Sequence, residues 1–336
     1  MVKSIDLNRG LSRTRRPHPE TLAPWAPSKS TRHILEYLLE YRYLTSELLA
    51  FLYDRDRGRG SYQVRNELTK LWRHGFVERF HRPTDAGSRQ LVYSLSVAGA
   101  REVIEAEEWS TERRKVYNSA KPKADYEHAL AVSVLQMLWN LGSREQAELF
   151  TSVVAWRDKE GDKDGTTNEF QAVVSGRKVN VQPDFTALIG HQKRRYYRPY
   201  FFEVERTHKN YQRTRRRFLA YAYLLSRGGQ KAVDAVFERE LGIRPSRGMV
   251  VFIGADPDHA DRLRRLALPL VKRDTEMWFT SLDRLFESEP RRRRDGSVRK
   301  KPDGEVLELE KPLTPAKFFT EDILVALDGK RGRLVV

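Results

Sequence analysis

The sequence predicts a two-domain chain, α+β followed by α/β, and three observations predict it. Apolar residues recur at helical spacing from Thr31 to Trp72 and then give way to two strand-like runs, FVERF and LVYSLS, around a turn. After a charged connector, WSTERRKVYNSAKPKAD, a long apolar helix precedes strand-like runs that alternate with helical ones, the pattern of a mixed sheet. The chain has 336 residues, a length that favours about two domains. These signals divide it into a disordered basic leader (1–29), a first domain (30–108), a linker (109–123), a second domain (124–285) and a basic C-terminal extension (286–336).

Composition narrows the function classes. The net charge is +16, from 62 basic and 46 acidic residues, which points to a polyanionic partner, most often nucleic acid. Ten Lys or Arg stand against two Glu between His191 and Arg217. Arg291–Lys301 is a second basic block and reads better as a solvated tail. There is no cysteine, so disulfides, thiolate zinc sites and a cysteine nucleophile are all excluded, and zinc is not expected. No Gly-x-x-x-x-Gly-Lys-(Ser/Thr) occurs, so no nucleotide cofactor is expected either. The closest pair among the eight histidines, His74 and His81, is seven residues apart, which excludes the paired-histidine motif of common rolling-circle relaxases. No apolar run is long enough for a membrane span and the N-terminus is not a signal peptide, so a cytoplasmic protein with no membrane partner is expected.

In the first domain Ile34, Leu35, Leu38 and Leu39 define a helix behind a Ser30 or Thr31 cap. Thr45 and Ser46 open a second helix and Ser61 a third. Val64, Leu68, Leu71 and Trp72 form the buried stripe of the third helix, which leaves Gln63, Arg65, Asn66, Lys70 and Arg73 outside it. Gly75 stops it, two strands follow around PTDAGS, and Ser96 caps a fourth helix. Three helices, a hairpin and a closing helix make a winged helix-turn-helix, and HGFVERF…YSLSVAGAREV resembles the wing region of bacterial regulators of that kind. In such a fold the third helix enters the major groove, where Arg reads guanine and Asn or Gln reads adenine. Arg79, Arg82 and Arg89 would then lie near phosphate. The alternative is that Arg65, Asn66 and Arg73 are a solvated face on a protein-binding module.

The second domain centres on Val181–Leu225. One apolar run carries Pro183-Asp184, and a second, YFFEVE, carries Glu203 and Glu205 on one side of a strand. Pairing of the two runs as a hairpin would join the three carboxylates, and hard oxygen donors suit Mg²⁺ or Mn²⁺. The alternative is neutralisation by Arg206, Arg213 or Arg217. A basic helix follows from about Lys209 to Ser226, and Arg213 and Arg217 are candidate phosphate contacts. Asp256 and Pro257 open a later helix.

This order resembles the PD-(D/E)XK nuclease fold. The resemblance makes Asp184 and Glu203 metal ligands, with Glu205 where a lysine is expected, and Lys209 is a candidate replacement cation. It also places His128 on the first helix as a ligand, and Tyr221, in Arg217-x-x-x-Tyr221, as a supporting residue with Arg in place of Gln. Through ILEYLLEYRYLT, YSLSVAGAREV, EHALAVSVL, QPDFTAL and FFEVERTHKN the chain is similar to the replication-relaxation family of bacterial plasmid and mobile-element proteins. The family implies DNA as partner, together with replication or mobilisation proteins. Two functions remain open: a Mg²⁺- or Mn²⁺-dependent nickase or endonuclease, and a non-catalytic DNA-binding factor with a degenerate nuclease fold.

Overall fold

A computed structural model describes residues 12–13, 25–57, 61–83, 89–106, 126–145, 150–157, 169–191, 196–206, 211–290, 308–312 and 324–333. It divides into two compact units, Met1–Val134 and Leu135–Val336.

The first unit begins with a short strand, β1 (Ser12–Arg13), and a helix, α1 (Lys29–Tyr41). Ser28 rather than Ser30 or Thr31 is the cap, because its hydroxyl accepts from the Thr31 N–H at 3.3 Å. Ile34, Leu35, Leu38 and Leu39 are buried as their spacing predicts. A two-residue strand, β2 (Leu44–Thr45), precedes α2 (Ser46–Arg57), and the Thr45 hydroxyl accepts from Leu48 N–H at 3.2 Å. Helix α3 (Ser61–Arg73) buries Val64, Leu68, Leu71 and Trp72. Gly75, at φ 84°, turns the chain into β3 (Val77–Pro83), which pairs antiparallel with β4 (Arg89–Leu95). Ser96 accepts from Gly99 N–H at 3.0 Å and starts α4 (Val97–Ala106). Only glycine fits at 99, since a Cβ there would sit 1.9 Å from the Phe76 carbonyl oxygen.

The sheet order is β1-β3-β4-β2, so the strand between α1 and α2 closes onto the second hairpin strand. The leader expected over 1–29 is corrected at two places. Ser12 and Arg13 pair with His81 and Phe80 along the open edge of β3, whose unpaired backbone groups offer a template. Trp25 packs against His74 and Phe76, with ring centroids 5.0 and 6.0 Å away.

Helix α5 (Tyr126–Glu145) spans the division between units, and the linker expected at 109–123 lies outside the described residues. The second unit continues with β5 (Phe150–Arg157), β6 (Phe170–Val174), β7 (Arg177–Val181), β8 (Phe185–His191) and β9 (Tyr196–Glu205). Two helices follow, α6 (Tyr211–Leu224) and α7 (Arg227–Leu241), then β10 (Met249–Gly254), α8 (Pro257–Ala267) and β11 (Met277–Ser281). Beyond a 3-10 turn lie β12 (Phe286–Pro290), β13 (Glu308–Pro312), β14 (Leu324–Ala326) and β15 (Arg331–Gly332).

The main sheet has seven strands in the order β15-β14-β11-β10-β9-β8-β5. β5, β8 and β9 run antiparallel, whereas β9, β10 and β11 are parallel. A helix, three antiparallel strands, a helical crossover and a parallel strand give the mixed sheet that the alternation of strand-like and helical runs predicts. One face takes Trp139 of α5, 5.2 Å from Tyr200 and 5.6 Å from Phe202. The other face takes α6, α7 and α8 in a core that includes Phe201, Phe218, Phe237, Phe252 and Phe279.

The expected end of this domain at 285 is too early. β14 and β15 extend the sheet beyond β11, and Gly332 lies against Trp278 so closely that a Cβ would be 2.4 Å from its ring. The Arg291–Lys301 block lies outside the described residues. Among the described residues no helix is long and apolar enough to cross a membrane.

Candidate functional site: a carboxylate pair closed by arginine

Two strands bring the acids together. The β8–β9 register sets Phe185 opposite Phe202, so Asp184, just before the ladder begins, stands beside Glu203. Asp184 Oδ2 accepts from Val204 N–H at 2.8 Å, replacing the ladder partner that β8 does not supply there. Alternation along β9 puts Glu203 and Glu205 on the face that carries Phe201, under α6.

Helix α6 presents Arg217 and Tyr221, one turn apart, to that face. Tyr221 donates to Glu203 Oε1 at 2.6 Å. Arg217 Nη1 donates to Glu205 Oε1 at 2.6 Å and lies 2.9 Å from Glu203 Oε2. The second contact is one of charge alone, since no N–H is aligned with Oε2 and that buried oxygen has no hydrogen-bond partner. Glu203 is only 1% exposed. Burial, and then the neighbouring Asp184, push its carboxyl up to about 8, and the opposing pull of Arg217 and Tyr221 is weaker. Burial alone would lower Arg217, but Glu203 and Glu205 raise it by more. Tyr221 is also pushed up, by burial and then by Glu203.

The first unit presents a different surface. Gln63, Arg65, Asn66, Lys70 and Arg73 are exposed along α3. Arg65 Nη2 is 3.5 Å from Glu47 Oε1, and Lys70 Nζ is 3.1 Å from Glu67 Oε1, so both cations are partly steadied by acids of their own unit. The Arg79 guanidinium lies 3.5 Å over the Trp72 ring and beside Tyr93, whose hydroxyl burial pushes up.

A sequence profile described as replication-relaxation matches residues 35–239, well over half of the chain. The chain belongs to the replication-relaxation family. No curated protein matches it. Two similar solved structures are of the restriction endonuclease FokI. The DNA-bound one is 11% identical, covering 80% of this chain and 46% of that one at a TM-score of 0.24. The other is 12% identical, covering 75% and 43% at 0.23. The chain thus spans less than half the length of either.

In this replication-relaxation protein the carboxylates expected to meet do converge, but the cation between Glu203 and Glu205 is Arg217. Among the described residues no group of three or more His, Cys, Asp or Glu is disposed to hold a metal. The oxygen chemistry of Asp184 and Glu203 suits Mg²⁺ or Mn²⁺, yet as arranged the set does not fit, because a guanidinium already bridges two of the three acids. The expectation that Arg217 contacts phosphate is corrected for the same reason: its guanidinium turns inward to these acids. Arg213 is exposed on the same helix. His128 is the third residue of α5, half-buried, and falls in the first unit. Lys209 and the side chains of Arg82 and Arg89 lie outside the described residues. Sequence reasoning passed over Tyr62, which is 78% exposed in the first turn of α3 beside Gln63; its signal is that it falls outside the apolar stripe.

Proposed function

We propose that this replication-relaxation protein is a DNA-binding factor of the bacterial cytoplasm that reads duplex DNA with the outer face of α3. The observation that carries this is the division of α3, with Val64, Leu68, Leu71 and Trp72 buried while Gln63, Arg65, Asn66 and Arg73 are exposed. Those are the side chains whose hydrogen-bonding groups match guanine and adenine edges in the major groove. On this reading the carboxylate cluster of the second unit is a structural ion-pair centre.

The test is selection of a preferred site from random duplexes with the parent, followed by comparison with Arg65→Ala/Asn66→Ala. Discrimination should fall by about 1–3 kcal/mol for each base contact removed. A variant that prefers the selected site as strongly as the parent overturns the assignment of α3.

Metal-dependent nicking is the second reading. The buried Glu203 Oε2 without a hydrogen-bond partner favours it, and it requires Arg217 to withdraw from the acids.

A further inference from the structure

Between β5 and Asp184 the chain makes a detour, the β6–β7 hairpin, which is a two-stranded sheet of its own. Its two faces differ. Phe170, Ala172 and Val181 are buried in the core with α6 and α7, and the Phe170 ring lies 5.0 Å from Phe201 and 6.1 Å from Phe237. On the outer face Gln171 pairs with Asn180 and Val173 with Lys178, and all four are exposed. Ser175 and Gly176 at the tip both have positive φ, 50° and 75°. That is the two-residue turn whose twist matches the strands it joins, so the tip and the buried face together fix where the outer face points.

Charge gathers at the tip: Lys178 stands on the outer face, and Arg177, paired with Val174 on the inner side, is nonetheless exposed. Residues 170–182 contain no Asp or Glu but carry Arg177 and Lys178. The hairpin packs on α6, whose opening Tyr211–Arg217 contains four Arg and no acid; Arg215 and Arg216 there are exposed.

We infer that the outer face and tip of this hairpin, with the opening turns of α6, form a second DNA surface that grips the phosphodiester backbone. The inference rests on the DNA-binding reading and adds a contact within the second unit. Lys178 beside the carboxamides of Gln171 and Asn180, with Arg177 exposed at the tip, supplies side chains that bind phosphate oxygens, and they carry no sequence information there. Cations distributed over two adjacent elements suit an evenly repeated charge, which a nucleic-acid backbone has and a folded acidic protein lacks. The hairpin ends at Val181, three residues before Asp184 and so within about 10 Å of it along the chain. Backbone held on the hairpin is therefore delivered beside the carboxylate cluster.

The test uses the full chain with Arg177→Gln/Lys178→Gln and, separately, Arg215→Gln/Arg216→Gln. All four residues are exposed, and an unchanged melting temperature confirms that each variant is folded. Affinity is measured from about 50 to about 200 mM salt on a duplex carrying the selected site and on one lacking it. Loss of two phosphate contacts should make the log–log salt slope shallower by about 1.8 on both duplexes, roughly a tenfold smaller change in affinity across that range. The ratio between the two duplexes should stay as in the parent. An unchanged slope, with the parent binding both duplexes, overturns the inference and leaves the α3 reading standing. A parent that binds neither duplex at low salt overturns both. Variants that lose binding to poly-glutamate but not to DNA assign the surface to an acidic protein, and overturn it as well.

Discussion

Tyr221 donates its hydroxyl proton to Glu203 across 2.6 Å, so a helix closes over the acid that the strand buries. The same tyrosine packs its ring 5.7 Å from Phe252 and 6.0 Å from Phe201. Tyr221→Phe keeps that packing and removes only the donor. The expected loss is about 1–3 kcal/mol, the cost of leaving a buried acceptor short of a partner. Urea unfolding measures it, and an unmoved midpoint would show that the bond contributes nothing net.

Arg217 is the shared counter-ion of Glu203 and Glu205, and its side chain is 25% exposed. At about pH 9, above the raised value of Glu203, Arg217→Met should destabilise by about 3–5 kcal/mol, because it leaves that buried acid without its counter-ion. Adding Glu203→Gln and Glu205→Gln should recover most of that loss. If the triple variant is no more stable than the single one, the loss belongs to packing around the arginine stem.

Stability should also depend on pH through Glu203. Its folded value, about 8, lies above the ordinary 4.5 of an exposed glutamate, so between those values the folded state holds a proton that the unfolded chain releases. The associated stability is complete below the unfolded value and is lost as pH rises through the folded one, at up to about 1.4 kcal/mol per pH unit. Glu203→Gln has no such proton. The difference in unfolding free energy between parent and variant should therefore change steadily from about pH 5 to about pH 8; a flat difference contradicts the raised value.

Mn²⁺ at about millimolar concentration should leave the melting temperature of the parent unchanged, since Arg217 occupies the space between the acids. A ligand of the folded state would raise it. Arg217→Met should open the cluster and gain a Mn²⁺-dependent rise, which Asp184→Asn then removes. A rise in the parent itself, abolished by Asp184→Asn, would favour the metal-dependent reading.

Some of this was legible in the sequence. The buried stripe of α3 follows from its helical period, and alternation in YFFEVE sets Glu203 and Glu205 on one face. Pairing Asp184 with them needed only the assumption that neighbouring strands form a hairpin. Choosing among Arg206, Arg213 and Arg217 was beyond it, because the choice depends on where α6 starts and how it is rotated on the sheet. Helix α7 was missed because Gly228-Gly229 in its first turn look like a loop, yet Gly229 is there for contact: a Cβ would lie 2.0 Å from the Tyr223 carbonyl. β1 and β15, two residues each, are too short to show any period, and only the sheet edges they join define them.

The position of β9 in the sheet has a consequence for the order of folding. Its antiparallel neighbour β8 is reached through residues 192–195, whereas its parallel neighbour β10 is reached only across residues 206–248. Closing the longer connection carries the greater entropic cost, so the short β8–β9 hairpin is the natural first step. The burial that raises Glu203 is then left to the later step, because Phe252 stands opposite it on β10 and Tyr221, 5.7 Å from that ring, covers it from α6.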